Sequence, residues 1–432
     1  MFVQIHMLQS MPPGNLNRDE NGYPKQCLFG GVTRGRISSQ CLKRNIRWST
    51  QFKEAGSLAT RTQYLPQMVA DELKDGKFGA FADDELAKLM AAIAKKFHSD
   101  EKGRWTEDGQ EDDEEKDAPE DSPLADNKAP KKEKKKPQLV FFPPSFAIEI
   151  ARLVADLRKD KPRAYIRFIG GKAEPKITEK EGKGPDKKEI QEFVKEVCKA
   201  SESLTVDIGL FGRMTTSELV KNVDATCQVA HAISTHETII ESDYLTAMDE
   251  QKPRYASDQM DIPGAQFIGS EMFFNSAVYY KYLNLDVDAL KKHLHPMTDE
   301  DAAKVAGVLV KAAALANPTG KQNSFAAHGV PEYILVEVSE AKRPISYANA
   351  FLQPVEGGVG RNYMTESAKA INAYIDAVAA AFAPADARRV LLEVGPAKAT
   401  LQSPHTPVAT LDELVSAVVA LVAAPGKPGA SA

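Results

Sequence analysis

Apolar and polar residues alternate from Phe2 to Leu8, with Val3, Ile5 and Met7 on one side, which predicts an opening strand ended by Pro12-Pro13-Gly14. A loop follows, then a short strand around Leu28–Ile37 and a helix from about Gln40, capped by Ser38 or Ser39. Leu42, Ile46 and Phe52 form the apolar stripe of that helix. Helical spacing returns at Leu65–Leu73, Asp83–Phe97 and Ser145–Leu157. Asp186 and Glu189 then open a helix whose core stripe is Ile190, Phe193, Val194, Val197 and Cys198. Leu204–Phe211 reads as sheet-like, with Gly212 ending a strand, and Phe267–Tyr282 as a strand rich in Phe and Tyr. Thr298 with Asp301 caps a helix through Ala316, stopped by Pro318-Thr319-Gly320. Strands at Pro331–Val338 and Arg389–Val394 and helices at Glu366–Phe382 and Thr410–Ala424 complete an α+β pattern.

A chain of 432 residues, 43% hydrophobic and 27% charged, buries a sizeable core and has room for two or three lobes. One stretch departs from this. Residues 107–136 lack aromatic and β-branched side chains and switch from acidic to basic, so they are expected to be a disordered insertion. The same expectation holds for the tail, 425–432. The opening residues lack a basic n-region and a long apolar core, and no apolar run is long enough for a membrane span, so a cytoplasmic protein is expected. Cys27, Cys41, Cys198 and Cys227 form no C-x-x-C pair, and His231 and His236, on a segment read as strand, point to opposite faces. No metal, no cofactor and no catalytic constellation is expected: Walker, G-x-S-x-G and H-E-x-x-H motifs are missing.

Charge changes the picture most. The chain has a formal charge of -5, yet Asn21–Lys53 contains no Asp or Glu and carries Lys25, Arg34, Arg36, Lys43, Arg44, Arg47 and Lys53. A positive strip on a net-negative protein is a track for a polyanion, with a solvated helix face as the plainer alternative. Gly30-Gly31 would let backbone N–H groups approach a ligand, and Lys43 and Arg47 share a helix face at i, i+4. A second basic stretch, Arg163–Lys176, interleaves Tyr165 and Phe168 with Arg163, Arg167 and Lys172; it is either a base-stacking clamp or an edge strand with exposed basic residues.

The order of motifs is specific. Asn-Leu-Asn-Arg-Asp at 15–19, Phe-Gly-Gly at 29–31 and Arg-Ile-Ser-Ser-Gln-Cys-Leu-Lys-Arg at 36–44 resemble the start of the CasC family, the backbone subunit of the type I-E CRISPR Cascade complex. Three later segments are similar to that family in the same order: Val206–Ser217, Val223–Glu237 and Gly320–Phe351. The resemblance implies a modified RRM (ferredoxin-like) palm at 1–54, 204–237 and 265–424, an inserted helical finger lobe at 55–203, and a thumb hairpin at 238–264. It implies a non-enzymatic subunit that polymerises head-to-tail along CRISPR RNA, displays the guide for pairing with target DNA, and meets other Cascade subunits and no membrane. Arg18, Lys25, Arg34, Arg36, Lys43, Arg44 and Arg47 become expected phosphate ligands, with Ser38 and Gln40 supplying hydroxyl and amide contacts. Arg213, Lys321 and Gln322 become further backbone contacts, and Met214 a wedge against a base. Arg44 could instead serve a surface or subunit contact. Two alternatives stay open: a target-RNA endoribonuclease acting through Asp19, distantly similar to RNA-targeting backbone subunits, and a stand-alone RRM-like RNA-binding module.

Overall fold

The computed structural model describes residues 1–54, 56–98, 139–170, 185–217, 219–247, 250, 266–267, 271–382, 384, 386–398 and 400–424. The expected insertion at 107–136, the tail at 425–432, Lys172 of the second basic stretch and most of 238–264 beyond Ala247 lie outside them. The strands in chain order are β1 (Phe2–Gly14), β2 (Gln26–Phe29), β3 (Val32–Ile37), β4 (Thr60–Thr62), β5 (Val140–Phe142), β6 (Cys227–Val229), β7 (Ala232–Ser234), β8 (Glu241–Asp243), β9 (Thr246–Ala247), β10 (Gln266–Phe267), β11 (Met272–Asp286), β12 (Pro331–Ser339), β13 (Arg388–Glu393) and β14 (Thr406–Val408). The chain forms two compact units, Met1–Gly56 with Thr226–Ala432, and Ser57–Ala225.

The first unit is built on a mostly antiparallel sheet in the order β14-β13-β12-β1-β11-β7-β3-β2. β1 lies near its middle, with Val3 opposite both Leu285 and Val338, and Leu8 opposite both Tyr280 and Tyr333. The opening alternation is real, but both faces are buried, so the polar members of the alternation are not solvent-facing. On one face Leu8, Tyr280, Tyr282, Tyr333 and Leu335 pack with Met364, Ala368, Ile371 and Ile375 of the helix Tyr363–Phe382. Here His6 is covered by Tyr282 and Tyr347 rings, and its Nε2 lies 3.3 Å from Glu337. Glu337 also accepts from Arg389 and from the Tyr347 hydroxyl at 2.6 and 2.8 Å. Burial alone would raise the Glu337 carboxyl; the His6 and Arg389 contacts prevail and bring it down to about 2. On the other face Lys281 donates to the Ala313 carbonyl of the helix Asp299–Leu315 at 2.9 Å. That helix packs on Leu411–Ala423 through Gly307, where an added Cβ would sit 2.7 Å from Val419.

The second unit is largely helical. Leu65, Val69 and Leu73 of the helix Leu65–Lys74, Leu89 and Ile93 of Asp83–His98, and Ile150 and Val154 of Ser145–Asp160 share one core with Phe142 and Phe193.

Several local expectations are corrected. The glycines Gly30 and Gly31 are not an open ligand cradle; with φ of 61° and 82° they form the two-residue turn between β2 and β3, in which Phe29 pairs with Val32. A Cβ on Gly30 would lie 1.7 Å from the Leu352 carbonyl oxygen, so that close approach is made by the chain itself. The helix after Ser38 stops at Trp48, and Phe52 belongs to the short helix Thr50–Glu54. Val206–Phe211, expected as strand, is a helix ended by Gly212 at φ 75°. Arg163–Phe168 is neither clamp nor edge strand: Pro162–Phe168 is a helix whose Tyr165 is buried and donates to Glu85 at 2.8 Å. In both cases tertiary burial overrides the apolar, β-prone local composition.

Burial brings the Lys281 ammonium down to about 7. An unfolded chain keeps that proton to higher pH, so the penalty is full below pH 7 and relaxes as pH rises toward 10. Lys281→Met is expected to stabilise the protein at pH 6 by about 3 kcal/mol and to remove the rise in stability between pH 7 and 10, measured by urea denaturation. Lower stability at pH 6 would contradict this.

Candidate nucleic-acid interface

The loop before β2 is held by its own asparagines. Asn15 donates to the carbonyls of Gly22 and Phe273 at 2.9 and 2.7 Å. Asn17 accepts from the Ser38 backbone N–H at 2.8 Å, which ties the loop to the start of the helix α1 (Ser39–Trp48). Lys25 N–H donates to Asn17 O, and Arg36 N–H donates to Lys25 O, each at 2.8 Å. Loop, β3 and helix start are thereby stitched into one corner. Ser38 caps α1 by accepting from Cys41 N–H at 3.3 Å, and the first turn carries no acidic residue.

Around this corner the strip separates into two kinds of cation. Lys25, Arg36 and Lys43 are half-buried, and Arg18, Gln40 and Arg44 are exposed. Among the described residues, Lys25, Arg36, Lys43 and Arg44 form no ion pair. Two thiols report their proximity. Cys41, raised by burial, is pulled down by Arg44 and Lys25; Cys27, also raised by burial, is pulled down by Arg36 and Arg34. Lys43 exerts the same pull on Cys227, whose thiol burial pushes up to about 12. An α-helix N-terminus without acids, beside unpaired ammonium and guanidinium groups, is chemically suited to phosphate oxygens.

The other kind is internal, and here the expected phosphate ligands are corrected. Arg34 is 0% exposed. Its guanidinium donates to the carbonyls of Phe29, Ser234 and Phe351 at 3.2, 3.1 and 2.6 Å, so it cross-links the chain rather than facing a ligand. Arg47 is buried with Leu42 and Ile46, so it does not share an outer face with Lys43. Ser38 is buried and its oxygen accepts from the helix. The Gln322 amide donates to Pro318 O and Ala327 O, both at 3.0 Å, and faces inward. Lys321 beside it is exposed, at φ 51°. A Cβ on Gly320 would lie 2.5 Å from Leu16 O and 2.8 Å from Asn15 O, so this turn packs on the Asn15 loop and brings Lys321 to its vicinity.

Asp19 is an exposed turn residue: its Oδ1 accepts from the Asn21 and Tyr23 N–H groups, both at 2.9 Å. Among the described residues no cluster of His, Cys, Asp and Glu has the arrangement of a metal site.

Arg213 and Met214 belong to the second unit. Arg213 is buried, which pushes it down to about 10, and it donates to the carbonyls of Lys221, Phe141 and Ser201 at 2.8, 3.1 and 2.8 Å. It is an internal anchor and not a phosphate ligand. Its backbone pairs with Val223, and the next residue, Met214, is turned outward and 92% exposed. Met214 lines a 660 Å³ cleft with Arg61, Leu139, Phe141, Phe211 and Asn222. One residue that sequence reasoning weighed only as a metal ligand is His231, which meets Arg36 at 3.1 Å across strands 195 residues apart. No local pattern signals that contact.

Comparison with known proteins identifies a family and two similar structures. Residues 3–417 match the protein family described as CT1975-like protein. The structure superposes on a chain of a "CRISPR RNA-guided surveillance complex, pre-nicking" with a TM-score of 0.72 and 25% identity, covering 98% of this chain and 100% of that one. A chain of a second "CRISPR RNA-guided surveillance complex" matches at a TM-score of 0.65 and 22% identity, covering 97% and 99%. No curated protein sequence matches the chain.

The division into anchors and free cations has a measurable consequence. Arg34→Met and Arg213→Met each strand three carbonyls and are expected to cost about 2–4 kcal/mol in chemical denaturation. Lys43→Ala and Arg44→Ala are expected to stay within about 0.5 kcal/mol of the parent protein.

Proposed function

The chain belongs to the CT1975-like protein family, and on that premise we propose that it is the CRISPR RNA-binding backbone subunit of a Cascade-type surveillance complex. The observation that carries this reading is the corner of unpaired cations, Lys25, Arg36, Lys43 and Arg44, around the acid-free N-terminus of α1. The match at a TM-score of 0.72 to a chain of an RNA-guided complex, over essentially the full length of both, supports it. Arg18 and Lys321 extend the corner, and Gln40 offers an exposed amide. These groups hold the phosphates of a single strand. They read no sequence, which is left to base pairing between guide and target DNA.

In this reading the complex is of type I-E. The first unit supplies the RRM-like palm at 1–54, 226–237 and 265–424, and the helical finger lobe at 55–203 lies in the second, which also holds 204–225 of the expected palm. The antiparallel pairs β8–β11 and β9–β10 form the base of the thumb hairpin. Copies follow one another head-to-tail along the RNA, a heterologous arrangement that leaves the filament open, and they meet other subunits of the complex. Met214 presses its exposed thioether against a base. The subunit is a scaffold without catalysis of its own, and the turn bonds that occupy Asp19 support a structural part for that residue. Among the described residues no helix is long and apolar enough to cross a membrane, which fits a cytoplasmic particle.

Each phosphate neutralised on a single strand contributes roughly −0.7 to the log–log salt slope. With Arg18, Lys25, Arg36, Lys43, Arg44 and Lys321 engaged, a slope near −4 per subunit is expected in an anisotropy titration with CRISPR RNA. Lys43→Ala with Arg44→Ala should make it shallower by about 1.4. A slope near zero, or one unchanged by this pair, would overturn the assignment.

A further inference from the structure

His231 sits between β6 and β7, exposed, with Nδ1 3.1 Å from Arg36 Nη1. A guanidinium can only donate, so in this contact Nδ1 is the acceptor and the neutral ring carries its proton on Nε2. Among the described residues Nε2 has no hydrogen-bond partner. Arg36 is itself steadied by donating from Nε to Gln26 O at 3.3 Å. Lys25, whose carbonyl accepts from the Arg36 backbone N–H, stands close enough to the ring to act on it electrostatically. Three donors therefore meet at one edge of the sheet: an ammonium, a guanidinium and an imidazole N–H.

We propose that Lys25, Arg36 and His231 form one phosphodiester-binding site, in which His231 contacts the phosphate directly and takes up a proton when the strand binds. This rests on the function proposed above and adds to it a ligand residue and a pH response. The charged groups facing the ring are Arg36 from β3 and Lys25 from the segment before β2; on neighbouring β11, Lys281 turns its ammonium away to Ala313 O. Lys43, from α1, faces Cys227. In the free protein, burial and then Arg36 and Lys25 hold the ring below its usual 6.5. A phosphate between these groups reverses the last two influences and favours the imidazolium. Protonation of Nδ1 ends its role as acceptor and frees Arg36 Nη1 for the same phosphate. Binding and proton uptake therefore reinforce each other, and affinity rises as pH falls through the histidine range.

The test combines NMR titration of the His231 ring with anisotropy binding, using a uridine 20-mer and, separately, inorganic tripolyphosphate. With either probe the His231 pKa is expected to rise by about one unit, and 20-mer affinity to rise about tenfold from pH 8 to pH 5.5. His231→Gln, which cannot take up a proton, is expected to lose most of the affinity that the parent gains between pH 8 and pH 5.5. His231→Ala should bind more weakly at both. Binding of the 20-mer with an unmoved His231 pKa and unaltered variants would overturn this site and leave the RNA reading intact. A response to tripolyphosphate without 20-mer binding would establish the anion site and overturn the RNA reading. No response to either probe would overturn both.

Discussion

Arg34 is the constraint from which the interface follows. Its charge is fully buried and, instead of a carboxylate, it has three backbone carbonyls, from Phe29, Ser234 and Phe351. Carbonyl dipoles offset the cost of desolvating a guanidinium only when they are held in place, so each of the three segments is fixed by the others. Arg34 and Phe351 lie 317 residues apart in the chain. Gly30 completes the joint, because only a residue without a side chain lets the β2–β3 turn lie against Leu352. The burial of one arginine thus sets where the hairpin ends and where the next arginine on the same strand, Arg36, emerges beside Gln26 and His231.

From that joint outward, polar side chains work on the backbone. Asn15, Asn17 and Asp19 all spend their side chains on backbone N–H or carbonyl groups. The conspicuous polar loop is therefore a positioning device, and the charged chemistry is presented by its neighbours. The same division recurs in the second unit. Arg213 turns inward to three carbonyls, Gly212 takes a φ of 75° where a Cβ would meet Val223 O at 2.8 Å, and Met214 is left projecting.

Much of this was legible in the chain. The acid-free strip, the Ser38 cap, the buried Leu42 and Ile46, and the capped helices after Thr298 and Thr410 are local signals with local causes, and the structure has them. What could not be read was which cations are internal. Arg34 and Arg36 are two apart on β3 and share a strand face by alternation, yet only Arg34 lies beneath the Phe351 segment. That difference depends on a long-range contact. Val206–Phe211 and Pro162–Phe168 are helices and not strands for a related reason: both short runs suit strand or helix, and packing within the helical unit decides.

In the proposed function, the corner formed by the Asn15 loop, β3 and the start of α1 carries the RNA. Photo-crosslinking the protein to a thiouridine-substituted CRISPR repeat–spacer RNA, followed by peptide mass spectrometry, addresses it most directly. Crosslinked peptides are expected to contain Lys25, Arg36, Lys43 or Lys321, with a separate class at Met214. Crosslinks confined to other surfaces, with these peptides unmodified, would contradict it.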